Sequence, residues 1–230
     1  MKNNITIPQS SFYFLNQLKE NNNKTWFDAN KSTYLHELNH IETFADALLG
    51  ELSKTDVLET PSGKKSVYRI YRDIRFSKDK TPFKSFWGGS FTRATNERRG
   101  GYYFHLEQGN SFLAGGFWGP NAADLKRIRN EFAHDPEPMQ KIVHSESFVS
   151  NFGTLQGEQL KTAPKGFDIN HRSIGLLRYK QFLLMKRFTD DEVISPLFLE
   201  QSLNTFKNMK PFFDYMSEVL TTDINGASIL

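Results

Sequence analysis

The 230-residue chain contains no cysteine. Disulfide bonds, thiolate metal ligands and a cysteine nucleophile are therefore excluded. The longest apolar runs fall well short of the roughly 20 residues that a membrane-spanning helix needs, and the first dozen residues lack the apolar core of a secretory signal. We therefore expect a cytoplasmic protein with no membrane partner.

The composition is that of a folded protein, with 38% hydrophobic and 14% aromatic residues. A chain of this length can build one complete hydrophobic core, and nothing forces a second. We find no internal repeat, low-complexity tract or linker in the sequence. The sequence therefore predicts a single domain over residues 1–230.

The spacing of apolar residues predicts the α+β class: a small antiparallel sheet of about four or more strands flanked by helices, with long helices near both termini. The predicted helices cover residues 12–20, 25–52, 121–134 and a final stretch from about 196. Within them, Gly50 offers an earlier end for the second helix, and Pro211 predicts an interruption of the last. The predicted strands cover residues 67–76, 102–107, 112–118 and 181–187, with an irregular excursion between Pro82 and about Gly101.

The positive charge is concentrated in one part of the chain. The net charge is only +3, yet residues 64–99 contain eleven Lys or Arg against three Asp or Glu. Six of these cations lie between Arg69 and Lys84, together with the carboxylates Asp73 and Asp79. Cations at this density need partners, either within the fold or in a ligand.

Successive side chains of a β-strand point to opposite faces, so the predicted strand 67–76 divides these charges between its two faces. Arg69, Asp73 and Arg75 fall on one face, whereas Arg72 falls on the apolar face. An arginine does not lose its charge when it is buried, so Arg72 needs a carboxylate. Asp73, Asp79 or a remote acid are the available partners.

The basic stretch resembles a known family. Its pattern is Arg-x-x-Arg-Asp-x-Arg-Phe followed by Asp-Lys and an aromatic residue, and it is formed here by Arg69, Arg72, Asp73, Arg75, Phe76, Asp79, Lys80 and Phe83. This pattern resembles the DUF2461 family of uncharacterised proteins, in which the last aromatic is typically Tyr. Residues 22–27, 101–105, 115–118 and 164–167 also resemble the family, so the likeness covers nearly the whole chain. The resemblance implies no activity, substrate or catalytic residue.

Our first hypothesis from the residues is a site for an anionic ligand, phosphorylated or carboxylated, because arginine clusters suit such groups. The predicted ligand-binding cations are Arg69, Arg72, Arg75, Lys80 and Lys84. We expect Asp73 to orient the arginines, and Tyr103, His105 and Trp118 to form the walls. Whether a reaction follows stays open. If one does, His105 is the first candidate for general acid or base, and Asp73 the second.

Two alternatives remain open. One is nucleic-acid binding without catalysis, using the positive field of residues 64–99. The other is a structural or interaction protein in which the charges form an internal ion-pair network. We predict no metal site, because the histidine pair His36 and His40 lacks an HExxH pattern. The sequence contains no GxxxxGK(S/T) phosphate-binding loop, no dinucleotide-binding fingerprint and no GxSxG motif, and it leaves the cofactor unknown.

Overall fold

The computed structural model describes residues 5–94, 96–97, 99–223 and 226–230. These residues form ten helices. They are α1 (Gln9–Glu20), α2 (Lys24–Ala29), α3 (Lys31–Leu52), α4 (Gly63–Ser66), α5 (Ala122–His134), α6 (Glu137–Val143), α7 (Glu146–Phe152), α8 (Ile174–Leu177), α9 (Asp190–Ile194) and α10 (Phe198–Thr221).

The sheet has four strands and is antiparallel, so the α+β prediction is confirmed. The strands are β1 (Trp87–Thr92), β2 (Gly101–Leu106), β3 (Ser111–Phe117) and β4 (Phe182–Phe188), and they lie in the order β1-β2-β3-β4. The first was missed, because Gly88-Gly89 suggested irregular chain. Gly89 is instead required by packing, since a side chain there would meet the Phe104 ring at 2.5 Å.

The chain divides into two compact units, each assembled from three segments. Unit 1 comprises residues 1–91, 103–113 and 187–204, and it contains α1 to α4 and α9. Unit 2 comprises residues 92–102, 114–186 and 205–230, and it contains α5 to α8. The single domain over 1–230 stays a prediction.

The predicted strand 67–76 is wrong. This stretch makes only two isolated antiparallel bridges, Val67 with Gly89 and Tyr71 with Phe83. The backbone of Arg72 donates to the Pro82 carbonyl at 2.9 Å, but Pro82 has no N–H to return a bond. The ladder therefore stops, and the chain continues as a loop through residue 81.

Two helix predictions also need correction. The predicted helix 25–52 is two helices, separated at Asn30, and Gly50 lies inside α3 rather than at its end. Pro211 does not interrupt α10, which is continuous from Phe198 to Thr221. Pro211 has no backbone N–H, so one helical hydrogen bond is missing. In unit 2 the burial of Met209, Phe212 and Phe213 on either side of Pro211 stabilises the helix despite this loss.

Candidate functional site

Residues 67–84, which we call the basic segment, are held between α4 and β1. Ser62 caps α4 by accepting from the Lys65 N–H at 3.3 Å, and the Tyr68 N–H donates to the Gly88 carbonyl at 2.8 Å. At the other end Phe83 is buried and stacks on Phe27 with ring centroids 4.1 Å apart. The family-like aromatic is therefore a packing residue that fixes where the segment ends.

The hydrogen-bond partners of the Arg72 side chain lie within the basic segment. Its guanidinium donates to Asp79 at 2.5 Å, to the Thr81 carbonyl at 3.2 Å and to the Thr81 hydroxyl. The Thr81 backbone N–H, then Arg72, then the Thr81 hydroxyl lower the pKa of Asp79 to about 2. The Asp79 carboxylate thus stays ionised, and its ion pair with Arg72 joins the two ends of the loop between these residues.

Asp73 pairs with Arg75, not with Arg72. The Arg75 guanidinium donates two hydrogen bonds to the carboxylate, at 2.9 and 2.7 Å, and both side chains are mostly exposed. The Arg75 side chain and backbone bonds lower the pKa of Asp73. A carboxylate held ionised in this way is a poor proton donor.

Lys84 is a half-buried cation of the basic segment, and it has no carboxylate partner among the residues that the structure describes. Its ammonium group donates to the Tyr71 carbonyl at 3.2 Å and to the Arg69 carbonyl. Burial, and then the charge of Arg69, lower the pKa of Lys84. Lys80 likewise donates to a carbonyl, that of Ile74, at 2.9 Å. Neither ammonium group forms an ion pair within the part of the chain that the structure describes.

A pocket of about 620 Å³ opens beside Lys84 in unit 1. Its walls, which define what we call the Lys84 pocket, are Lys19, Asn22, Arg72, Asp73, Asp79, Thr81, Phe83, Lys84, Ser85 and Phe86. Of the predicted residues, it gathers Arg72, Asp73 and Lys84. Arg69, Arg75, Lys80, Tyr103 and His105 belong to unit 1 but do not line it.

Sequence reasoning missed Lys19 and Asn22. Asn22 donates to the Phe83 carbonyl at 3.0 Å and accepts from the Phe83 N–H at 3.1 Å, so one side chain pairs with the backbone as a neighbouring strand would. Lys19 reaches the pocket from the last turn of α1. Residues 22–27 carried a family likeness, but no pattern in the sequence connected Lys19 with the site, or Asn22 with Phe83, which lies 61 positions away.

His105 lies on β2 and is only 8% exposed. Its ring is sandwiched between Phe86, at 4.3 Å between centroids, and Phe112, at 4.7 Å. One ring nitrogen, Nδ1, lies 3.0 Å from the Tyr103 hydroxyl, and the other, Nε2, lies 3.1 Å from Glu107. Burial lowers the pKa of His105 and outweighs the opposing effect of Glu107. The imidazole is therefore neutral around pH 7.

Trp118 belongs to unit 2 and is 44% exposed, so the structure places it in a different unit from the other predicted residues. Unit 2 also has a cavity of about 770 Å³. Charges of both signs line it, among them Lys126, Arg127, Glu131 and Glu218, but none of the predicted site residues does.

His36 and His40 contact each other on α3, with ring nitrogens 3.4 Å apart. No third histidine, aspartate or glutamate joins them, or any other pair, to form a metal-binding group within residues 5–94, 96–97, 99–223 and 226–230. Nor do these residues contain a helix that is both long and apolar enough to cross a membrane. The cytoplasmic location stays a prediction.

Comparison with known proteins gives one match. A family model described as "Conserved hypothetical protein (DUF2461)" matches residues 10–215, which is most of the chain. No curated protein and no solved structure matches. The match includes the basic segment and every residue of the Lys84 pocket.

Proposed function

Because this chain belongs to the DUF2461 family of conserved hypothetical proteins, we propose a function from the geometry of its own site. The protein binds a small anionic molecule, phosphorylated or carboxylated, in the Lys84 pocket. The ligand contacts Lys84 directly, and Lys19 and Arg72 also line the pocket. The observation that carries the proposal is the half-buried ammonium group of Lys84, whose partners among the described residues are carbonyls and not carboxylates.

A half-buried cation without an anion is unfavourable, because removal from water penalises the charged form. The lowered pKa of Lys84 reports this penalty, caused by burial and then by Arg69. An anion in the pocket offsets it with a charge-assisted hydrogen bond. We therefore expect an anionic ligand to stabilise the charged form of Lys84 better than the carbonyl groups of the protein do.

The pocket also contains two carboxylates, which taken alone would repel an anion. Each is already neutralised, since Asp79 pairs with Arg72 and Asp73 pairs with Arg75. Lys84 and Lys19 are the remaining charges in the wall. The pocket thus presents a net positive field to a ligand of a few atoms.

We expect Lys84→Met to weaken binding of inorganic phosphate or succinate by about 10- to 100-fold, the effect of losing one hydrogen bond to a charged group. Methionine keeps the unbranched stem but removes the charge. Isothermal titration calorimetry at constant ionic strength measures the change. The matched control is Lys78→Met, which makes the same substitution at an exposed lysine of the basic segment that does not line the pocket.

The two variants separate a pocket from a general basic surface. Wild-type affinity in Lys78→Met, together with the loss in Lys84→Met, supports the pocket. Equal affinities for all three proteins, or a larger loss in Lys78→Met, contradict it. Circular dichroism of both variants confirms that each is folded.

A second candidate function, binding of single-stranded nucleic acid, is favoured by one observation. Aromatic side chains alternate with cations along the basic segment, and they face solvent: Tyr68 is 43%, Tyr71 55% and Phe76 95% exposed. Exposed rings stack on bases while cations contact phosphates. The positive field is smaller than the sequence suggested, because Arg93 and Arg99 form ion pairs within unit 2.

If this second function holds, Phe76→Ala should weaken binding of a labelled single-stranded oligonucleotide about tenfold, as loss of one stacked base predicts. The affinity should also fall steeply with salt, because bound phosphates release counterions. Fluorescence anisotropy measures both effects. Tyr13→Ala is the control, since Tyr13 is 65% exposed on α1 outside the basic segment. A flat salt response, or equal losses in both variants, contradicts this function.

A further inference from the structure

Three rings in unit 1 form a stack that ends at the Lys84 pocket. The centroids of the Phe112 and His105 rings lie 4.7 Å apart, with an angle of 12° between the ring planes. The centroids of the His105 and Phe86 rings lie 4.3 Å apart, with an angle of 29°. Small angles at these distances describe stacked rings and not edge-on contacts. The order of the stack is therefore Phe112, His105, Phe86.

The two ends of the stack differ. The Phe112 ring has further partners, since the Arg187 guanidinium lies 5.9 Å and the Tyr103 ring 5.8 Å from its centroid. The Phe86 ring has no ring partner besides His105 among the residues that the structure describes. The stack can therefore be extended at Phe86.

Phe86 belongs to the wall of the Lys84 pocket, whereas His105 and Gly88 do not. The His105 ring covers one face of the half-buried Phe86 ring, and one ring edge faces Gly88, where an added methyl group would lie 3.2 Å away. The ring therefore borders the pocket through parts that these two residues leave uncovered. A fourth ring stacked on the uncovered face of Phe86 would be a ring of the ligand.

A bend in the chain brings the Phe86 ring and the Lys84 ammonium group to the same pocket. The backbone bends at Ser85 and Phe86, before β1 begins at Trp87. In a straight strand successive side chains point to opposite faces, whereas Lys84, Ser85 and Phe86 all line the pocket here. The Cα atoms of residues 84 and 86 are at most about 7 Å apart, so one small molecule can reach both side chains.

The pocket is larger than a simple acid requires. Its volume is about 620 Å³, within the range of ~300–1,000 Å³ that is usual for sites of drug-sized ligands. A phosphate or carboxylate group at Lys84 contacts only the polar part of the wall. The apolar part, formed by Phe83 and Phe86, suits an apolar group on the same ligand.

We infer that the ligand of the Lys84 pocket is an aromatic anion, in which a phosphate or carboxylate group binds Lys84 and a flat ring stacks on Phe86. This inference rests on the proposed binding of an anion in the pocket, and it names the class of ligand. The Ser85 hydroxyl makes no hydrogen bond with any residue that the structure describes. It is therefore a second donor for the acid group.

Stacking distinguishes a flat ring from a saturated ring of similar size. Both rings bury a similar apolar area on Phe86, so the hydrophobic contribution to affinity is nearly the same. The flat ring adds the attraction between stacked π-systems, which corresponds to about three- to tenfold in affinity. The stack with His105 already orients the Phe86 ring, so little side-chain freedom is lost when the ligand binds.

The test compares ligands that differ only in the ring. Calorimetry at about pH 7.5, where phosphate monoesters carry most of their second charge, gives the Kd of phenyl phosphate and of cyclohexyl phosphate. We expect the wild-type protein to bind phenyl phosphate about three- to tenfold more tightly. Benzoate and cyclohexanecarboxylate form a second pair, and the pair that shows the preference identifies the acid group.

Phe86→Leu removes the ring but keeps an apolar side chain, so the preference for the flat ring should disappear. The matched control is Phe112→Leu, which removes the other ring stacked on His105 but does not change the pocket wall. This control should keep the wild-type preference. Inorganic phosphate should bind both variants with the wild-type Kd, because its contact with Lys84 does not involve either ring.

The outcomes separate this inference from the proposed function. Equal affinities for flat and saturated rings in wild type, or a preference that survives Phe86→Leu, overturn the aromatic ligand and leave the anion site. A preference lost equally in both variants also overturns it. If wild type binds none of these anions, the anion site is wrong and the inference with it.

A measurement on wild type is independent of how the variants fold. In the NMR spectrum of the complex with phenyl phosphate, the phenyl protons should show nuclear Overhauser contacts with the Phe86 ring. The ring current of Phe86 should also shift these protons upfield. Contacts of the phenyl group with other residues and none with Phe86 would overturn the inference.

Discussion

Asp214→Ala is expected to lower the free energy of unfolding by about 2 kcal/mol, the typical loss when a charge-assisted hydrogen bond to a buried group is removed. Its partner Arg93 has a side chain that is 0% exposed, and the two side chains approach to 2.5 Å. Arg93 also donates to the Arg99 carbonyl at 3.1 Å and to the Ser217 hydroxyl at 3.3 Å, both of which are uncharged groups. The variant leaves a buried guanidinium without this carboxylate.

The control uses the same carboxylate. Lys210 also pairs with Asp214, but from the surface of α10, and Lys210→Met should cost about 0–1 kcal/mol. Urea denaturation of both variants measures the difference. Similar small losses in both would mean that Arg93 does not depend on Asp214.

Gly63→Ala is expected to cost about 3 kcal/mol, at the upper end of the range for overpacking. Gly63 is the first residue of α4 and is buried against α3. A methyl group there would lie 2.6 Å from the Glu42 carbonyl oxygen and would collide with the backbone of Asp46. Backbone atoms of a 22-residue helix cannot move aside as a flexible side chain can.

Gly50→Ala is the matched control, because Gly50 lies within α3 and a methyl group there meets no atom within 4 Å. This variant should stabilise the protein by about 1 kcal/mol through helix propensity. Thermal or urea unfolding of the two variants tests the pair. Equal stability would show that α4 does not pack on α3 as described, and the start of the basic segment would then lose its anchor.

The elements with strong periodicity were predictable. Residues 102–107, 112–118 and 181–187 alternate or run apolar, and β2, β3 and β4 form there within one residue at each end. Residues 67–76 alternate as well, yet they form no strand. Alternation of polar and apolar residues is a property of a single segment, whereas a β-strand also needs a neighbouring segment that offers backbone N–H groups. The neighbour of residues 67–76 contains Pro82, which has no N–H, so the pairing stops there. The sequence prediction also missed β1. The adjacent glycines Gly88 and Gly89 are typical of an irregular segment, but Gly89 lies in a strand and leaves room for the Phe104 ring.

The site was predictable in its charges but not in their pairing. The sequence indicates that Arg72 needs a carboxylate, and Asp79, one of the two nearby choices, supplies it through a loop that sequence periodicity does not describe. Lys19 and Asn22 reach the pocket only through tertiary contacts, since Asn22 bonds a residue 61 positions away. His105 was singled out for its titration, but its enclosure by Phe86 and Phe112 depends on side-chain packing that one sequence does not reveal.

The central claim is that the ammonium group of Lys84 is a ligand-binding group and not part of the internal network of the basic segment. A crystal structure of the wild-type protein soaked in sulfate tests it most directly. We predict a sulfate oxygen about 2.9 Å from Lys84 Nζ, inside the pocket bordered by Lys19 and Phe86. Sulfate found only at the exposed Arg75, with Lys84 still bound to the Arg69 and Tyr71 carbonyls alone, would contradict the claim.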